Sequence, residues 1–208
     1  MPRTLVFYHI FCGHTTPAVL SDQIHKIHFS GLYKDVDTIY CFLAGHSEWI
    51  TPCYELLKEA GKKFQTQFYP GDTTYERLTL YKIRKMIQPE DNFLYMHTKG
   101  ISKIGDKCVH EWRALIEYHV LYKFRECLES LKNHDCAGIN WHDTPEKHFS
   151  GNMWWSRGSY FLSLPETIGP YYCDPEFYIG LNNPKIKNFI ESGVNHYHQN
   201  FPYRMWVD

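Results

Sequence analysis

The segment NFLYMHTKGIS, Asn92 to Ser102, ends an apolar run on an imidazole, a hydroxyl and an ammonium: His97, Thr98 and Lys99. Such a set makes a cradle for phosphate oxygens, since each group offers a hydrogen bond or a positive charge. A second stretch, HFSGNMWWSRGSYFLSLP from His148 to Pro165, puts Gly151 and Asn152 before two adjacent tryptophans. On a strand, Trp154 and Trp155 point to opposite faces, so one can join the core while the other stacks on a sugar ring. A third, CDPEFYIG, sets Asp174 and Glu176 among aromatics, a pattern suited to sugar hydroxyls or to acid–base chemistry. In VNHYHQN, His196 and His198 share a face when extended, an HxH pair that signals a metal only with a third ligand.

Each of these has a plainer reading. His97 can be a hydrogen-bonded turn histidine, Lys99 a solvated cation, and both tryptophans core. Asp72 suits the start of a turn. Glu76 stands at capping-box spacing from Thr73, which accounts for it without any ligand. Arg113, in EWR, serves a phosphate or a structural ion pair equally well.

The elements that must position these groups follow from hydrophobic period and punctuation. TLVFYHI, DTIYCFLAG, KKFQTQFY and NFLYM read as strands, being β-branched and aromatic and bounded by glycine or polar residues. Between them, Thr16-Pro17 opens a helix to about Phe29. Thr51 caps a short helix with Pro52 at its first position, and Thr73 caps a helix through Ile87. Beyond Gly100 the spacing predicts a loop, one long helix from about Val109 to Asn133, a strand CAGINW, a strand holding both tryptophans, and a short helix from Ser159. A proline-marked, loop-rich section closes the chain. Strands alternating with helices over short connections predict an α/β fold with a mostly parallel sheet of Rossmann type, flanked by helices in one domain. Ligands of such sheets bind outside the carboxyl ends of the strands. His9, Asp72 and the His97–Lys99 group therefore converge there. No Walker A loop and no GxGxxG is present.

The 208 residues carry a formal charge of −1, which predicts no general attraction to nucleic acid. Seven scattered cysteines, an odd number with no CxxC, read as reduced thiols. No stretch has the length of a membrane span or the form of a signal peptide, so the expectation is a cytoplasmic protein.

FLYMHTKG, EWR, HFSGNMWWSRGSYFLSLP and DPEFYIG together resemble glycosyltransferases of the GT-A fold, from Thr4 to about Gly180. The likeness is nearest to the chlorovirus domains that glycosylate a major capsid protein. It implies a nucleotide-binding half over about 1–105 and an acceptor half over about 106–208. The expected reaction moves a hexose or deoxyhexose from a UDP-sugar to a hydroxyl of a glycan or glycoprotein, with a divalent metal, usually manganese. In that reading Tyr8, His9 and Asp72 hold the nucleoside, and His97, Thr98, Lys99 and His198 manage the diphosphate, His97 and His198 as metal ligands. Asn152, Trp154 and Trp155 shape the sugar and acceptor cleft. Asp174 or Glu176 stands at the reacting carbon, with Glu176 at the family's E-aromatic position. The family's Asp-x-Asp is replaced here by His97-Thr98-Lys99, which leaves open a binding module without turnover. A hydrolase built on the 13 histidines is a further alternative, although no HExxH occurs.

Overall fold

The computed structural model describes residues 2–72 and 74–207. Its first hundred residues alternate strand and helix as their periodicity dictates: β1 (Thr4–Cys12), α1 (Thr16–Phe29), α2 (Leu32–Asp35), β2 (Thr38–Gly45), α3 (Ser47–Ala60), β3 (Phe64–Pro70), α4 (Arg77–Met86) and β4 (Asn92–His97). The next helix is α5 (Lys107–Glu117), capped by the Asp106 carboxylate, which accepts from the amides of Cys108 and Val109 at 2.9 and 3.2 Å. Then come α6 (Phe124–Ser130), β5 (Cys136–Gly138), the hairpin of β6 (Trp141–His142) and β7 (His148–Phe149), β8 (Trp154–Arg157), α7 (Gly158–Ser163), α8 (Asp174–Phe177) and β9 (Ile186–Asn188).

Seven strands form one sheet in the order β3-β2-β1-β4-β8-β5-β9. The first four run parallel, β8 lies antiparallel to both neighbours, and β5 and β9 are parallel. Side chains of β1 alternate between two cores. Val6, Tyr8 and Ile10 pack with α1, α3, α5 and α6, whereas Leu5 and Phe7 pack with α4 and α7. The sheet is thus covered on both faces, which explains why its strands read as continuous apolar runs. The fold is α/β, a central sheet flanked by helices. The chain leaves β1 towards β2 on one side and reaches β4 on the other, so the crevice beyond β1 and β4 is a topological switch point.

Several boundaries differ from expectation. Helix α3 begins at Ser47, with Pro52 inside it rather than at its start. Helix α4 begins only at Arg77, and Glu76 makes no side-chain cap hydrogen bond; Thr73 lies outside the described residues. The long helix after Gly100 is interrupted by a π-helical turn, Tyr118–Tyr122, where Trp155 Nε1 donates to Val120 O at 2.9 Å. No helix is long and apolar enough to cross a membrane among the described residues.

Candidate functional site

A cavity of about 460 Å³ opens at the switch point, lined by the ends of β1 and β4, the turn before β8, and the segment around α8. The pairing of His9 with His97 at the ends of their strands puts both imidazoles there. Thr98 fastens the two strand ends: its amide donates to His9 O at 3.1 Å, and its hydroxyl accepts from Phe11 N at 3.2 Å. Glycines complete the bend. Gly151 has φ of +92°, and a Cβ there would stand 2.5 Å from Ile116 Cδ1 and 3.1 Å from Lys99 Cε. Only glycine admits that backbone at that approach.

His97 is held from two sides. Nε2 lies 3.0 Å from Gly151 O and must donate to it, since a carbonyl only accepts. Nδ1 lies 3.2 Å from Glu76 Oε1. Burial, reinforced by Lys99, lowers the His97 pKa to about 4, and burial raises that of Glu76. Burial thus disfavours the charged form of both partners, and the contact holds the imidazole against the carboxyl. His9 is likewise pushed down to about 4 by burial and bonds Thr79 Oγ1 through Nδ1 at 2.9 Å.

The Lys99 ammonium lies 3.6 Å from the centroid of the Trp112 ring, a cation–π contact. Burial lowers its pKa, while Glu176 and Glu76 pull the other way. Glu176 Oε1 accepts from Gly151 N at 2.9 Å. Asn152, 2% exposed and at φ of +52°, has its Oδ1 fixed by Trp154 Nε1 at 2.9 Å. That bond orients the amide: Nδ2 has no hydrogen-bond partner, yet it stands near enough to Glu76 to favour that carboxylate.

Beneath the cavity runs a buried network. The Glu117 carboxylate accepts from Gln23 Nε2 at 2.7 Å and Lys26 Nζ at 2.6 Å, and Arg113 Nε stands 3.6 Å away. Gln23 also donates to His97 O at 3.2 Å, and Arg113 Nη1 donates to Lys99 O at 3.2 Å. Arg113 therefore serves carboxylates and a backbone carbonyl that positions Lys99. Breaking such a network is expensive because it strands a buried charge.

His9, His97, Thr98, Lys99, Asn152 and Glu176 thus share one cavity. Other expected residues lie elsewhere. Tyr8 is fully buried on the opposite side of β1 from His9, its hydroxyl bonded to Gln23, so it cannot touch a nucleoside. Asp72 spends Oδ1 on Thr74 N and Oγ1 at 2.7 and 2.6 Å, the plain turn reading. Trp154 and Trp155 do point to opposite faces, but helices cover both, and both rings are 0% exposed. They are core, not cleft. Asp174 lines a separate cavity, where Oδ2 accepts from Tyr171 N at 2.6 Å. His198 is exposed on the C-terminal segment, outside the cavity, whereas His196 is buried and stacked on Trp112 at 5.4 Å.

The metal expectation meets the same test. Both nitrogens of His97 are engaged, His198 lies outside the cavity that His97 lines, and no group of three or more His, Cys, Asp or Glu side chains converges among the described residues. The histidine ligand set does not fit.

Sequence reasoning passed over Glu76, whose capping-box spacing hid it, and the tyrosines Tyr75, Tyr172 and Tyr197 at the cavity mouth. For Tyr172 and Tyr197 the one available signal was position: aromatics in polar loops, outside any apolar period.

Residues 7–167 match the model of a family described as a domain of unknown function (DUF8361), and the chain belongs to that family. No curated protein matches the chain. Among solved structures it is similar to 4-diphosphocytidyl-2C-methyl-D-erythritol synthase from Anaerococcus prevotii, at 10% identity and TM-score 0.53, covering 89% of this chain and 86% of that one. It is similar also to HddC from Yersinia pseudotuberculosis, at 11% identity and TM-score 0.52, covering 91% and 90%. A third is a protein assigned as a nucleotide-diphospho-sugar transferase from Desulfovibrio desulfuricans, at 12% identity and TM-score 0.50, covering 90% and 80%. At these identities the likeness establishes the fold, which is that of GT-A and Rossmann-like proteins.

Proposed function

We propose that the chain is a nucleotide-sugar-dependent glycosyltransferase that moves a hexose or deoxyhexose from a UDP-sugar to a carbohydrate hydroxyl. The observation that carries this reading is the meeting of Lys99, Asn152 and Glu176 in one cavity at the switch point of the sheet. The shared fold with a structure assigned to nucleotide-diphospho-sugar transfer supports it. In the reaction, the bond from the anomeric carbon to the diphosphate oxygen breaks and its electron pair leaves with UDP. A bond forms from that carbon to the acceptor oxygen, whose proton passes to a base. Lys99 neutralises the charge that grows on the leaving oxygen, and partial desolvation in the cavity strengthens that interaction. The Asn152 amide donates to the donor sugar or phosphate. Glu176 is the base nearest the acceptor, and Glu76 with His97 holds the adjoining wall in place.

The manganese of the family resemblance enters this reading as an arm of the test, because the expected histidine ligands do not fit. A capsid glycan as acceptor, and the host cytoplasm as location, rest on the sequence resemblance alone. The test is a thermal-shift panel of UDP-, GDP- and CMP-sugars with and without manganese. A ligand at about 100 times its dissociation constant raises stability by roughly 2.7 kcal/mol. UDP-sugars are expected to stabilise most; equal effects from all three classes, or none from any, would count against the reading. Turnover in the presence of acceptor separates it from a binding module without catalysis.

A further inference from the structure

Three tyrosines that no core requires ring the mouth of the cavity. Tyr172 is 74% exposed, Tyr197 52% and Tyr75 48%. Tyr75 and Tyr172 meet edge to face at 5.2 Å, and Tyr197 meets Trp112, the ring under Lys99, at 5.1 Å. They are held in place rather than loose. Arg77 donates to the carbonyls of Gly169, at 2.9 Å, and of Tyr171, while Asp174 accepts from Tyr171 N, so the turn carrying Tyr172 is pinned to α4. Tyr75 has φ of +55°, a conformation that disfavours a bulky side chain and that structures retain chiefly where a residue is put to use. Below this rim the walls offer the Glu176 and Glu76 carboxyls and the buried Asn152 amide, whose Nδ2 has no hydrogen-bond partner.

Resting on the reading above, we infer that Tyr75, Tyr172 and Tyr197 form the acceptor platform and that the acceptor is a neutral carbohydrate ring. Aromatic faces above carboxyl and amide groups match the two sides of a pyranose: C–H groups on one surface, hydroxyls at the edge. The charge of the walls narrows the class. The Lys99 ammonium serves the donor phosphate, which leaves Glu176, the proposed base, beside the acceptor, so a uronic or sialic acid there meets like charge. A flat nucleobase would also stack, but it would leave the carboxyl-lined walls without hydroxyl partners.

The experiment is saturation-transfer NMR on the full chain without nucleotide, using lactose, maltose and cellobiose as neutral probes and digalacturonic acid as the anionic one. At least one neutral disaccharide should show transfer to its ring C–H protons, with digalacturonic acid showing none. Tyr172→Ala should weaken that binding about tenfold or more, and Tyr172→Phe should retain it. Tyr203→Ala, outside the cavity, should leave it unchanged. Because Tyr172 is largely exposed, its replacement leaves the core intact, which near-ultraviolet circular dichroism verifies. Absence of transfer from all neutral probes, equal transfer from digalacturonic acid, or a Tyr172→Ala protein that binds as before would overturn the inference. So would weakened UDP binding in Tyr172→Ala with saccharide binding unchanged, which would make the rim a nucleobase platform. Saccharide binding without any nucleotide binding leaves the platform standing and removes the transferase; the reverse result does the opposite.

Discussion

At the residue scale, the proposed function concentrates in Lys99 and Glu176. Lys99 is a half-buried cation whose desolvation works against the fold, and its packing on Trp112 offsets only part of that. Lys99→Met keeps the aliphatic stem and removes the charge. It should melt at or above the wild-type temperature while UDP-sugar affinity falls about 10- to 100-fold, in keeping with a lost charged hydrogen bond of roughly 1.5–3 kcal/mol. Calorimetry and titration on one preparation check both halves; unchanged affinity would take Lys99 out of the donor site. Glu176→Gln keeps an oxygen for the Gly151 amide at its present 2.9 Å. Turnover should drop by about 10²–10⁴ with donor affinity within a few-fold, because a base acts on the transition state. Equal loss in binding and turnover would instead make Glu176 a donor ligand. Glu76 shows how a local rule can hide a site residue. Its spacing from Thr73 satisfied the capping box, and only the late start of α4 turned its carboxyl to His97.

At the element scale, the sheet does the positioning, and most of it was legible. The apolar runs and their breakers located the four parallel strands and the helices between them. The strand-end rule then put His9 and His97–Lys99 together across some ninety positions of sequence. What was not legible depended on who covers a strand. Trp154 and Trp155 alternate as any strand pair does, but alternation cannot say whether the outer face meets water or a helix. Here α7 and the α5–α6 segment cover both faces, so each tryptophan is core. Trp154→Ala and Trp155→Ala should each lower stability by about 3–5 kcal/mol in chemical denaturation, with turnover of the folded fraction retained. A Trp variant of native stability would contradict the packing. Asp72 and Tyr8 failed as site residues for kindred reasons: one side chain closes its own turn, and the other points through the sheet. The tyrosine rim was missed because Tyr172 and Tyr197 lie in loops that carry no period and Tyr75 fell inside the expected helix, which begins only at Arg77.

At the scale of the whole molecule, the site leaves a mark on stability. His9, His97 and His196 are held neutral by burial, each with its pKa lowered to about 4, whereas an unfolded histidine titrates near 6.5. Between those values the unfolded chain binds more protons than the folded one, so stability is complete above about pH 6.5 and is lost as pH falls towards 4. Glu76 and Glu117, raised by burial, act in the opposite sense, since the folded state holds their protons more firmly. The three imidazole shifts are the large ones, so acidification through this window brings a net loss. The urea midpoint should fall from pH 7 to pH 5, and a flat or rising midpoint would show that the histidines are not buried neutral. The proposed function requires that the cavity beyond β1 and β4 take the diphosphate of a sugar nucleotide. A crystal structure with an intact UDP-sugar, grown with and without manganese, tests it most directly. The prediction is a diphosphate oxygen within about 3 Å of Lys99 Nζ, a charge-assisted contact, with the sugar between Asn152 and Glu176. A nucleotide bound elsewhere, or bound there with Lys99 and Glu176 out of reach, would contradict it.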